Sequence, residues 1–274
     1  MMLRALLPPW LVYLWPAAHA DLVRQFVARE WHSRYRQSLL GSAWALITPL
    51  LTLAVYTFVF RQVFKLRWPE GGQDSNVGFA LRIYAGLALF QFFAECVNRA
   101  PNLVIEQPHL VKKVVFPLEI LAWVSTCSAL VHLGIAWCIL VLGLWWTNGA
   151  VAWTVVVAPL VWLPLVALAT GLGWFFAAIG TFWRDIGQLL SLALSLLMFL
   201  SPIFFPFSAL PVAIQPWAQW NPLALPITLT RTVMIDGQWP DWSAWAWYSL
   251  ACMIVAVVGA RFFAAARKGF ADVL

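Results

Sequence analysis

Apolar positions in this chain come in long runs separated by short charged stretches. About 20 consecutive apolar residues cross the hydrocarbon of a bilayer as a helix. Six stretches have that character: Ala43 to Phe60, Phe79 to Val97, Leu118 to Leu144, Val151 to Phe182, Ile186 to Phe205 and Ser243 to Phe263. The pattern predicts an all-α polytopic membrane protein with six transmembrane helices. A different period precedes the first span. In "DLVRQFVAREWHSRYRQSL", Leu22, Val23, Phe26, Val27, Trp31, Tyr35 and Leu39 recur at steps of three and four, while Arg24, Arg29, His32 and Arg36 fall mainly on the other face. This predicts a basic amphipathic helix with Asp21 as its N-cap, lying on the inner membrane surface with arginines toward lipid phosphates. Leu40 and Gly41 follow as a turn into span one, because glycine accepts backbone angles other residues avoid. Three regions result: an unassigned segment 1–20, the amphipathic helix and its turn 21–41, and a six-span domain 42–274.

The stretch "SPIFFPFSALPVAIQPWAQWNPLALP", residues 201–226, is apolar but holds six prolines in 26 residues. Proline lacks an amide hydrogen and clashes with the preceding turn, so no continuous spanning helix forms here. The expectation is a re-entrant hairpin on the outer side between spans five and six. Pro206, Pro211, Pro216 and Pro222 set its bends, and Trp217 and Trp220 anchor it at the interface.

Composition agrees with the pattern. The chain is 63% hydrophobic and 10% charged, against about a quarter charged in soluble domains. Its nineteen tryptophans suit the water–lipid boundary. Charge then gives orientation. With both termini inside, twelve of the seventeen lysines and arginines lie on the inner side and five outside, as the positive-inside rule favours. The net charge of +6 therefore reads as topology and not as nucleic-acid binding. The start "MMLRALLPPWLVYLWPAAHAD" also has the look of a cleavable signal, but cleavage would put the N-terminal arginines on the wrong face, and Pro8-Pro9 breaks the apolar helix.

Little chemistry is visible. Cys96, Cys127, Cys138 and Cys252 sit in apolar runs without a C-x-x-C pair, and the histidines at 19, 32, 109 and 132 are scattered, so neither a metal nor a catalytic site is expected. Glu95 and Glu119 stand near membrane ends with no partner at a spacing typical of acid–base work. His132 is alone in span three, where an interhelical hydrogen bond is the expected role. Arg82 is expected to snorkel to the headgroups. No Gly-Lys dipeptide occurs, which rules out a P-loop on this chain. Two charged inner loops remain: "NRAPNLVIEQPHLVKKVVFP", in which Pro101 starts a short helix containing Glu106 and Pro108 interrupts it, and the Arg184-Asp185 turn after span four.

Four stretches together carry a resemblance: "RYRQSLLGSAWALITPLL" at 34–51, "LVKKVVFPLEIL" at 110–121, "FWRDIGQLLSLALSLLMFLSPIFFP" at 182–206 and "NPLALPITLTRTVMIDGQWP" at 221–240. The chain resembles the transmembrane subunits of bacterial ABC exporters of polysaccharides such as O-antigen, teichoic acid and capsule. The resemblance implies a homodimer of six-span subunits in the inner membrane, working with two copies of a separate ATPase that holds ATP and Mg; this chain carries no cofactor. It implies export of a lipid-linked polysaccharide by a non-enzymatic permease. Further, it implies ATPase coupling through His109, Leu110, Lys112, Lys113, Arg184 and Asp185, and an interface helix and hinge at Arg24, Trp31, Arg36, Leu40 and Gly41. Spans one and five are implied to line the translocation path, with Tyr56, Phe60, Met198 and Phe199 in its wall. The proline segment falls where that family has two short outer gate helices. The alternatives are export of a drug or lipid by a related type-two ABC system and a membrane-embedded glycan-modifying enzyme.

Overall fold

The computed structural model describes residues 13–14, 19–36, 39–59, 76–111, 116–205 and 220–273. Lys112, Lys113, Phe60, Pro206, Pro211, Pro216 and Trp217 lie outside the described residues, as does most of segment 1–20. The described elements are helices: α1 (Ala20–Tyr35), α2 (Trp44–Thr57), α3 (Asn76–Arg99), α4 (Asn102–Ile105), α5 (Pro108–Val111), α6 (Ile120–Asn148), α7 (Ala158–Phe182), α8 (Ile186–Leu200), α9 (Ala224–Met234), α10 (Trp242–Ala266) and α11 (Phe270–Val273).

Among the described residues, four helical stretches are long and apolar enough to cross a membrane: Val77–Arg99, Ile120–Asn148, Trp153–Phe182 and Trp242–Val273. The regions expected as spans one and five are shorter apolar helices, Gly41–Thr57 and Ile186–Leu200. The second stops at Leu200 because Ser201 turns extended, with ψ 148°, ahead of Pro202. The span beginning at Ile120 runs on to Asn148 and is closed by Gly149 in the left-handed region at φ 69°.

The tightest seam joins α7 to α10. At Gly171 a Cβ would come within 2.5 Å of the Ala256 Cα, and a Cβ on Gly259 would overlap the Gly171 carbonyl. Backbones approach this closely only where both helices present small residues, the means by which apolar helices pack when lipid is as apolar as leucine. Hydroxyl groups add ties along α6 and α7, where Thr170 donates to Thr126 at 3.2 Å and Trp174 donates to the Glu119 carbonyl at 2.9 Å.

Contacts define two ends of the bundle. At one end Gly180 lies against the backbone of Pro101, and Arg267 pairs with Glu119 at 3.0 Å. At the other, Thr154 donates to the Val233 carbonyl at 2.6 Å. Exposed tryptophans gather at this second end, at Trp145, Trp146, Trp153, Trp239 and Trp242, as an interfacial belt does.

The amphipathic helix forms over Ala20–Tyr35, but its N-cap position is His19 and Asp21 stands inside the first turn. Its apolar face was expected to meet lipid. Instead that face packs on α6: Val23 is buried with Ile120 and Val124, and the Trp31 ring lies 5.7 Å from His132. Chain separation is nearly constant along this contact, 98 for Arg34–His132, 97 for Tyr35–His132 and 97 for Val23–Ile120. Two helices that keep one offset over their length run side by side in the same direction. Arg24, Arg29 and Arg36 remain exposed on the opposite face, with Arg29 4.4 Å over the Phe26 ring.

Tyr13 is buried in a cluster with Trp174 and Phe263. Trp123 donates to its carbonyl at 2.8 Å. The region left unassigned by sequence thus contributes to the core.

Candidate functional site

Three helices bring charge together between α1, α3 and α6. Glu30 and Arg34 are one turn apart on α1, and Glu95 and Arg99 are one turn apart on α3. Arg34 Nη2 donates to Glu95 Oε1 at 2.6 Å, and Arg99 pairs with Glu30. His132 of α6 lies 3.0 Å from the other oxygen, Glu95 Oε2, through Nδ1. A carboxylate only accepts, so Nδ1 carries the hydrogen there, and Nε2 lies 3.3 Å from the Tyr35 hydroxyl.

Arg34, Tyr35, Glu95 and His132 form one wall of a cleft of about 410 Å³. Its other wall comes from α2, with Trp44, Ala45, Thr48 and Pro49, and Gln91 of α3 adds an amide. Ionisable residues at membrane depth are costly and mark function. Sequence had left Glu95 without a partner and His132 alone, because the residues that complete them lie 61 and 98 positions away on α1. The readable signal was two i, i+4 pairs in the same Glu-to-Arg order, Glu30-Arg34 and Glu95-Arg99, which antiparallel helices make complementary. The interhelical role expected for His132 is the one it has.

The hinge expectation can be placed. Gly41 adopts φ 52°, in the left-handed region, and opens the short turn that leads into α2. Leu40 beside it is 52% exposed.

At the same end as the Arg267–Glu119 pair lie the inner loops. Asn102, not Pro101, is the first residue of α4, and Glu106 caps its end. Pro108 then starts α5, on which His109 is exposed and Leu110 is buried. Arg184 and Asp185 are exposed in the turn between α7 and α8. The approach of Gly180 to Pro101 brings these two loops to neighbouring positions.

Of the proposed path residues, Tyr56 stacks on Phe204 at 5.5 Å and Phe199 lies 6.4 Å from the same ring. Phe204, which sequence reasoning did not single out, thus joins the ends of α2 and α8. Phe199 is exposed, whereas Met198 packs partly against the core.

At the end of the bundle away from the Arg267–Glu119 pair, residues 201 and 221 meet. Asn221 Nδ2 donates to Ser201 Oγ at 2.9 Å, while its Oδ1 accepts from the Leu223 amide at 2.9 Å. Tyr248 donates to the Pro222 carbonyl at 2.6 Å. Trp220 is 87% exposed and rims a cavity of about 700 Å³ with Trp247, Leu225 and Thr228. Arg231, buried, donates to the carbonyls of Arg82, Pro202 and Ile203 at 3.0, 2.6 and 2.7 Å. Arg82, expected to reach the headgroups, instead pairs with Asp236 at 3.0 Å. No group of three or more His, Cys, Asp or Glu side chains is placed to hold a metal among the described residues.

Comparison with known proteins adds the following. The family model for ABC-2 type transporters matches residues 21–235. The chain is 23% identical over 256 residues to the O-antigen export system permease protein RfbA of Klebsiella pneumoniae, covering 93% of this chain and 95% of the relative. It is 25% identical over 260 residues to the protein of the same name from Myxococcus xanthus, with coverage of 93% and 95%. With the polysialic acid transport protein KpsM of Escherichia coli it shares 24% identity over 217 residues, 78% of this chain and 81% of that one.

Proposed function

The chain belongs to the ABC-2 type transporter family, and on that premise we propose that it is the membrane-spanning permease of a polysaccharide exporter, powered by a separate ATP-binding subunit. The observation that carries this reading is end-to-end similarity to O-antigen export permeases, over 93% of this chain and 95% of theirs. Family permeases are transporter subunits and not enzymes, which fits a chain without a P-loop.

The finer architecture follows the same reading. The permease has six spans, the short helices α2 and α8 being the first and fifth, and both termini face the cytoplasm across the inner membrane. The basic residues of the loops at one end support that orientation. Two copies of the chain pair with two ATPase subunits, and ATP with Mg is bound by the partner. The exposed apolar residues Leu192, Leu196 and Phe199 on α8 and Leu50, Leu51 and Val55 on α2 support a seam between copies. A lipid-linked glycan enters from the inner leaflet and passes outward along that seam.

The test is to purify the tagged chain from its native host and identify what accompanies it. An ATP-binding subunit should co-purify, and disruption of the chain should leave lipid-linked glycan inside the cell. Glycan export unaffected by disruption, or transport activity of the chain without any ATPase, would overturn the reading.

A further inference from the structure

The four-residue charge pairing between α1 and α3 has the geometry of a latch. Glu30 and Arg34 face Arg99 and Glu95 in opposite charge order, so two antiparallel helices bring both complementary pairs together at once. A shift of one turn in either direction places like charges opposite each other, Glu30 against Glu95 or Arg34 against Arg99. The pairing therefore has one good register and poor neighbours.

The latch also borders the cleft. Arg34 and Glu95 are in one wall, and Ala45 of the opposite wall is 7% exposed. Helix α1 leads to α2 through Gly41 at φ 52°, so movement of α1 away from α3 carries the start of α2 with it. The pairs are held without being sealed: the side chains of Arg34 and Arg99 are 36% and 31% exposed. Partly exposed pairs of this kind exchange partners at low cost.

We propose that the Glu30–Arg99 and Arg34–Glu95 pairs form a reversible latch that fixes α1 against α3 beside the cleft lined by α1, α2, α3 and α6, and that the cleft widens around Ala45 when α1 leaves α3. This goes beyond the transport reading, and its test uses no transport measurement, so each can fail without the other.

The experiment uses the full chain in lipid nanodiscs, with native cysteines replaced by alanine or serine and Ala45→Cys as the reporter. The probe is N-ethylmaleimide. Labelling of Ala45→Cys is expected to be slow in this parent, at least tenfold faster in Arg34→Glu or Glu95→Arg, and slow again in the double reversal. The same pattern is expected for Glu30→Arg, Arg99→Glu and their combination. Parent-like rates in the single reversals overturn the latch. So does a double reversal that elutes like the parent yet labels as fast as the singles. Where a reversal does not fold, Arg34→Gln and Glu95→Gln make the same comparison, and parent-like labelling in both overturns the proposal.

Discussion

Arg231 Nη1 donates to the carbonyl of Pro202 at 2.6 Å, and the same guanidinium reaches the carbonyls of Ile203 and Arg82. One side chain on α9 thereby fixes the point at which the chain leaves α8 and ties it to α3. Helix α8 has ended at Leu200, and the guanidinium supplies donors to the carbonyls just beyond it. Replacement of Arg231 by Met removes the donor to the Pro202 and Ile203 carbonyls, which lie outside any helix, and each buried unsatisfied group costs about 1–3 kcal/mol. Thermal unfolding in detergent should show Arg231→Met strongly destabilised and Arg231→Lys, which keeps the charge but lacks the fork, between it and wild type. An unfolding midpoint for Arg231→Met equal to wild type would sink this account.

Gly259 and Gly171 predict a second result. A methyl group at Gly259 meets backbone on α7, which cannot yield as a side chain does. Gly259→Ala should destabilise by about 1–3 kcal/mol, the usual cost of overpacking. Gly134 of α6 has nothing within 4 Å of its would-be Cβ, so Gly134→Ala should be neutral or stabilising. Equal behaviour of the two variants in the same unfolding assay would remove close helix packing as the explanation.

The start of α10 predicts a pH effect. Asp241 accepts from the Ser243 hydroxyl at 2.7 Å and from the Ser243 and Ala244 amides at 2.9 and 3.2 Å. These bonds hold its carboxyl below the ordinary range, the Ser243 hydroxyl first among them. A depressed folded pKa means that the cap stabilises above the unfolded value, about 3.9, and is lost as pH falls through the folded one. Asp241→Ala should therefore unfold at a lower temperature than wild type at neutral pH, and the gap should close in acid. A gap that persists unchanged at the acid limit would contradict the cap.

The inner loop predicts a coupling defect. Removing charge at Lys112 and Lys113, next to α5, should lower export or ATP hydrolysis by the complex while leaving the chain folded and abundant. Full export by the double alanine variant would remove these lysines from the coupling surface.

Long apolar runs made the helical class and most of the bundle legible, because hydrocarbon demands length and little else. Proline and glycine marked turns that the structure has, at Gly41 and at Ser201-Pro202. The residues that face across the bundle were not legible. Glu95 finds Arg34 only once α1 lies against α3, and Arg231 finds Pro202 only once α9 folds back beneath α8. Periodicity tells which side of a helix is apolar, but not whether lipid or protein covers it, and α1 shows the difference. Its apolar residues are those the period picked out, and α6 takes the place that lipid was expected to fill.

The parallel run of α1 beside α6 also bears on the length of α2. From Val23 to Tyr35 the chain advances twelve residues in step with α6, a climb of about 18 Å at helical rise. The first apolar helix then starts partway up the bundle and not at its foot. Seventeen residues, Gly41–Thr57, are short for a full crossing, yet they suffice for what is left of the ascent. The polypeptide enters by a staircase of two flights with a landing at Gly41.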